Sequence, residues 1–86
     1  MEPKKGKMAN TTIDFLRELW LELLALDKVM DQDDFFDLGG HSVAAAIMQS
    51  ELEDELDMEL PLSLIFQNPT LAKMSSAIDE LVAADS

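Results

Sequence analysis

Nine residues constrain this chain more than any others: Asp34-Phe35-Phe36-Asp37-Leu38-Gly39-Gly40-His41-Ser42. Two aromatic anchors lead to a flexible glycine pair, and the pair leads to one hydroxyl. Apolar residues recur at helical spacing on both sides of the stretch, so Ser42 stands where a helix should begin. A helix N-terminus carries unpaired backbone N–H groups and a partial positive charge. A phosphate is stabilised there by both. The stretch therefore presents a serine for attachment of a phosphorylated group.

The surrounding patterns describe helices joined by short links, with one long exception. Thr11 or Thr12 can cap a first helix, and Thr11-x-x-Asp14 is capping-box-like. Ile13, Leu16, Leu19, Trp20, Leu23 and Leu24 then keep helical spacing, predicting a helix that ends near Leu26 with Trp20 in the core. Asp27 to Gly40 is the long connection, and Phe36 and Leu38 are expected to turn inward and fix where Ser42 emerges. The second helix runs from Ser42 to about Leu56, with Ala45, Met48, Leu52 and Leu56 on its core face and acid over the rest of its later turns. Asp57 follows, a residue that tolerates the left-handed conformation. Pro61 suits a helix start, so a short third helix is expected over Leu62 to Gln67, stopped by Asn68-Pro69. Thr70 caps a fourth, with Leu71, Met74, Ala77, Ile78, Leu81 and Val82 in register and a frayed end over Ala83 to Ser86. No strand alternation or internal repeat is present. The fold class is all-α: a four-helix bundle with a short third helix, over residues 11–84, behind a disordered tail of residues 1–10.

Composition excludes several functions. The chain has 86 residues, enough for one small domain with little room for an enclosed active site. With no cysteine it can form neither disulfides nor thiolate metal sites, and a cytoplasmic setting is the default. No apolar run approaches the roughly 20 residues of a membrane span, and the N-terminus lacks the apolar stretch of a signal peptide. The formal net charge is −12, and no Lys or Arg occurs between Lys28 and Lys73. Such a surface repels nucleic acid and anionic membranes, attracts basic protein surfaces, and favours a soluble monomer.

The run ending in Gly39-Gly40-His41-Ser42 resembles the phosphopantetheine attachment site of carrier proteins, most closely the peptidyl carrier (thiolation) domains of nonribosomal peptide synthetases. The acyl-carrier-protein-like resemblance extends from about Leu16 to Leu81. It includes Leu19-Trp20, Leu60-Pro61-Leu62, Ile65-Phe66 and Pro69-Thr70-Leu71. Fatty-acid and polyketide carriers usually have Asp before the serine, where this chain has His41. The resemblance implies that a phosphopantetheinyl transferase, with magnesium, moves 4'-phosphopantetheine from coenzyme A to Ser42. An adenylation enzyme would load the arm's thiol with an amino acid or related acid. Condensation, thioesterase or tailoring enzymes would receive the cargo, and the carrier itself would catalyse nothing. Gly39 and Gly40 are expected to bend the backbone and leave space for the arm. His41 is expected to touch the transferase or the arm, or else to be an exposed spacer.

Rival chemistries fit poorly. Gly40-His41-Ser42-Val43-Ala44 fails the hydrolase elbow at its last position, and no second histidine exists to complete a triad. A calcium loop begun at Asp31 would put Phe36 where Gly is required and Ser42 where Glu is required. Val43 and Ile47 lie off the predicted core face of the second helix. With Leu64 they form an expected docking patch for partner enzymes, with Glu51 and Asp54 on its acidic rim. Two other readings stay open: an aryl- or acyl-loading carrier of a polyketide or hybrid pathway, and an unmodified acidic helical adaptor. The initial Met and short tails lean towards a free-standing protein over a domain cut from a synthetase.

Overall fold

The computed structural model describes residues 11–85; the expected tail at residues 1–10 and the terminal Ser86 lie outside the described residues. Four helices follow one another: α1 (Thr12–Leu23), α2 (Ser42–Leu56), α3 (Leu62–Gln67) and α4 (Leu71–Asp85). α1 packs chiefly on α4, and the short α3 bridges α2 and α4. The expected all-α bundle is what forms.

Thr11 caps α1, its hydroxyl accepting from the Asp14 N–H at 3.4 Å. The helix stops at Leu23, earlier than the apolar spacing suggests. Ala25 turns left-handed (φ 54°), the Leu26 N–H returns to the Leu21 carbonyl, and the Ala25 N–H reaches the Glu22 carbonyl. These paired bonds form a Schellman closure, normally built on glycine. With alanine at the turn, the sequence carries no signal for it. α2 ends on the left-handed Asp57 (φ 55°), as its residue type anticipates. α4 stays helical through Asp85, beyond the fraying expected from Ala83 onward.

The core is a single cluster in which Trp20, Phe35, Met48, Ile65 and Met74 are fully buried. The Trp20 indole N–H lies in it with no acceptor among the described residues, a desolvation cost of about 1–3 kcal/mol. Trp20 therefore serves by volume, not by hydrogen bonding. Three core assignments shift. Leu56 is only half-buried, and Ala44 joins the buried face of α2 in its place. On α4, Ala77 is half-buried while Ser75 is buried, its hydroxyl satisfied by the Ala72 carbonyl.

The third shift matters most. Phe36 and Leu38 are half-buried and pack against the core, but the deep anchor of the α1–α2 connection is Phe35, with no exposed surface. The connection is also held by its backbone. The Phe35 N–H donates to the Pro69 carbonyl at 2.8 Å, and the carbonyls of Asp33 and Asp31 accept from Leu71 and Ala72 at the start of α4. An antiparallel bridge between Asp34 and Thr70 lies within this clasp. The first two N–H groups of α4 are thus satisfied by the loop that precedes Ser42, and the Lys73 N–H by the Thr70 hydroxyl that caps the helix.

Candidate functional site

The acidic loop is shaped by its own aspartates. Asp34 accepts from the N–H groups of Phe36 (2.8 Å) and Asp37 (3.2 Å), and Asp33 accepts from Met30 at 2.8 Å. Asp31 pairs with Arg17, which also donates to the Val29 carbonyl at 3.2 Å. Three of the aspartates are thus spent on shaping the loop. No cluster able to hold a metal ion occurs among the described residues.

From Asp34 the chain winds tightly: Leu38 donates to Asp34, Gly39 to Phe36 and Gly40 to Phe35, at 2.9–3.2 Å. The two glycines then do different things. Gly39 has φ +110°, a conformation side chains rarely adopt, and nothing lies within 4 Å of where its Cβ would be. Gly40 lies outside the positive-φ region but has no room. A Cβ there would sit 2.4 Å from the Phe35 ring and 2.7 Å from the Phe35 carbonyl oxygen. Gly39 therefore bends the chain and borders open space. The missing side chain at Gly40 instead makes room for Phe35, a correction to its expected part in clearing space for an arm. Gly40→Ala should cost about 1–3 kcal/mol by overpacking, because the ring it meets is buried and cannot swing away. Urea unfolding of the variant checks this.

His41 is exposed, and it also touches the helix it precedes. It is the N-cap of α2, with Nδ1 facing the Ala44 N–H at 3.5 Å, while its carbonyl accepts from Ala45 at 2.8 Å. The Nδ1 lone pair is thus turned to the helix. Ser42, the first residue of α2, is exposed. The N–H groups of Ser42 and Val43 have no acceptor among the described residues. The hydroxyl accordingly stands beside two open donors at the positive end of a 15-residue helix.

Around it, Val43 and Ile47 are exposed (64% and 45%), and Glu51 and Asp54 are exposed further along α2. Leu64 is not: it is half-buried and packs against the core, so its expected place in an exposed patch is corrected. Phe66 is the exposed large apolar residue of α3. It is 43% exposed and stacks on Phe36, with ring centroids 5.4 Å apart and planes within 10°. Phe36 in turn meets Phe35 edge-on, and Phe35 meets Trp20. A continuous aromatic series runs from the core to the surface. In a six-residue helix no apolar spacing separates Ile65 from Phe66. The available signal was that a helix as short as α3 cannot bury apolar residues on every side.

The family of proteins described as "Phosphopantetheine attachment site" matches residues 14–78. The chain belongs to the phosphopantetheine-attachment family. Among curated relatives it is 41% identical over 63 residues to gramicidin S synthase 2 of Brevibacillus brevis, a match covering 73% of this chain and 1% of that protein. It therefore spans a very small part of that relative. Among solved structures, BlmI, a type-II acyl carrier protein from Streptomyces verticillus involved in bleomycin biosynthesis, superposes with a TM-score of 0.78 at 27% identity, covering 83% of this chain and 86% of that one. A chain in the complex of the phosphopantetheine transferase Sfp with coenzyme A and a peptidyl carrier protein gives 0.72 at 31% identity, covering 87% and 92%.

The residues present fit the group this family carries. Phosphopantetheine needs an accessible hydroxyl, donors for its phosphate and space for a long arm. An exposed serine, the open Ser42 and Val43 N–H groups and the empty surroundings of Gly39 supply these. The dipole's share in favouring the phosphate is on the order of 0.3–1 kcal/mol.

Proposed function

We propose that this carrier bears 4'-phosphopantetheine on Ser42 and serves nonribosomal peptide biosynthesis, passing an aminoacyl or peptidyl group between enzymes. One observation carries the assignment to Ser42. It is the exposed hydroxyl at the first position of α2, with the cap supplied by its neighbour His41, inside the matched family region. In the transfer, Ser42 Oγ attacks the phosphorus of coenzyme A nearest the pantetheine and loses its proton. The bond from that phosphorus to the bridging oxygen breaks, adenosine 3',5'-bisphosphate leaves with that oxygen, and the serine proton passes to a base of the transferase. When attached, the group supplies a flexible thiol that holds an acyl cargo as a thioester.

What the chain itself contributes is presentation. The Phe35–Gly40 contact and the clasp to Pro69 hold the start of α2 in place, and the tether raises the cargo's effective concentration at each partner. The transferase is the first partner, and adenylation and condensation, thioesterase or tailoring enzymes follow in this reading. A cytoplasmic monomer suits it; no helix of the described residues is long and apolar enough to cross a membrane. The test is intact mass after incubation with coenzyme A and a broad-specificity transferase. A gain of one phosphopantetheine per chain, mapped to the peptide holding Ser42, supports the reading, and an unmodified chain beside a converted control carrier ends it.

Partner contact is assigned to Val43, Ile47 and Phe66, with Glu51 and Asp54 facing basic residues of the partner. His41 stands close enough in sequence to join that contact from the cap. Because Val43 and Ile47 are exposed, Val43→Glu and Ile47→Glu should change stability by less than about 0.5 kcal/mol. Each should raise the transferase KM for the carrier about tenfold, the size of a modest interface hot spot. Leu64→Glu is a poorer probe, since it also strips packing from the core.

The resemblance to BlmI favours a second reading, an acyl- or aryl-loading carrier that works as a discrete protein. Loading assays with amino-acid-activating and aryl-activating adenylation enzymes separate the two. The unmodified adaptor has no use for an open serine and loses its support with the family assignment.

A further inference from the structure

The acidic run on α2 is not uniformly a solvated face. Glu53 and Gln49 are both half-buried, and each makes a hydrogen bond to Leu60. Glu53 Oε2 accepts from the Leu60 N–H at 2.8 Å, and Gln49 Nε2 donates to the Leu60 carbonyl at 2.7 Å. The two side chains are four residues apart, one helical turn, so they stand side by side. One peptide position is thus gripped at both its donor and its acceptor. Leu60 is buried, so neither backbone group could turn to water if its partner were lost.

α3 needs such a grip. With six residues it is far too short to be stable alone. Its C-terminal end is fixed where the Pro69 carbonyl receives the Phe35 N–H and Asn68 returns to Leu64. Its N-terminal end has no side-chain cap, because Pro61 holds that position. What fixes this end is the residue before Pro61, the one that α2 holds.

We infer that Gln49 and Glu53 are positioning residues for the docking surface: by clamping Leu60 they set α3 against α2, and so set Phe66 relative to Val43 and Ile47. This rests on the carrier reading and extends it to two residues that need not touch the partner. Misplacing α3 removes binding energy from the encounter and leaves the chemistry at Ser42 alone, so KM moves and kcat does not.

The test uses the full chain, coenzyme A and a broad-specificity phosphopantetheinyl transferase. Glu53→Ala and Gln49→Glu, the latter unable to donate, should raise KM for the carrier about three- to tenfold at unchanged kcat. Glu53→Gln keeps an acceptor oxygen and should stay within about twofold of wild type. Thr12→Val, which breaks the Thr12–Asp79 tie between α1 and α4, serves as the stability control. It should lower the melting midpoint without moving KM. A KM that is unmoved in Glu53→Ala, or that shifts equally in Thr12→Val, overturns the proposal. Amide hydrogen exchange reads the clamp without any partner. Glu53→Ala should speed exchange at Leu60 and along α3 about tenfold or more while α1 and α4 keep theirs, and uniform or absent acceleration also overturns it. A wild-type chain that is never modified condemns the carrier reading, and the exchange result still decides whether the clamp exists.

Discussion

A Ser42→Ala chain is expected to take up no phosphopantetheine at all while melting within a few degrees of wild type. Both halves follow from the structure. The Ser42 side chain is the one hydroxyl at the start of α2, and it is exposed, so its removal leaves the transferase no oxygen there to modify. The hydroxyl makes no hydrogen bond among the described residues, and the helix cap belongs to His41. An exposed substitution that breaks no contact usually changes stability by less than about 0.5 kcal/mol. For a domain of this size that corresponds to roughly 2–4 °C in Tm. The pairing of total functional loss with an intact fold is what distinguishes a tether from a structural serine. Intact mass and a thermal scan on the same preparation check it. Residual modification of the Ser42→Ala chain would move the attachment elsewhere.

Most of the site was legible because its logic is local. Helix starts at Ser42 and Leu62 and the stop after Gln67 are marked by glycine, proline and asparagine, whose backbone preferences act within a residue or two. The end of α1 was not legible, because a left-handed alanine leaves no mark in the sequence. The two phenylalanines could not be told apart by spacing either. In an irregular loop no period says which of Phe35 and Phe36 points inward. The decision is made at a distance, by Trp20 and by the space that Gly40 leaves. The clamp on Leu60 was hidden for a related reason. An acidic residue on a helix reads as solvated unless the position of the next segment is known, and Glu53 is half-buried only because the chain returns over it.

Phe35→Ala should be the most damaging single truncation in the loop. Emptying a fully buried phenylalanine site costs about 3–5 kcal/mol. A chain of 86 residues has on the order of 4–13 kcal/mol in all, so much or most of the population should be unfolded in mild urea. The loss exceeds that of an average core residue in its consequences. Phe35 meets Trp20 and Phe36 edge-on, and its backbone holds both Pro69 and Gly40. The sole tryptophan therefore reports directly on the site, and its fluorescence transition in urea is the measurement. The contact with Gly40 gives a sharper check than the magnitude. If Gly40 lacks a side chain in order to admit this ring, then Gly40→Ala should cost much less in a Phe35→Ala background than in wild type. Some cost remains, because the Phe35 carbonyl oxygen is also within 2.7 Å of the added carbon. The double variant should thus be more stable than the sum of the single losses by about 0.5–2 kcal/mol, less than the full Gly40→Ala cost and within the range seen for residues in direct contact. Additive losses would mean that Gly40 is required for some other reason, and that the ring does not set the position from which Ser42 is presented.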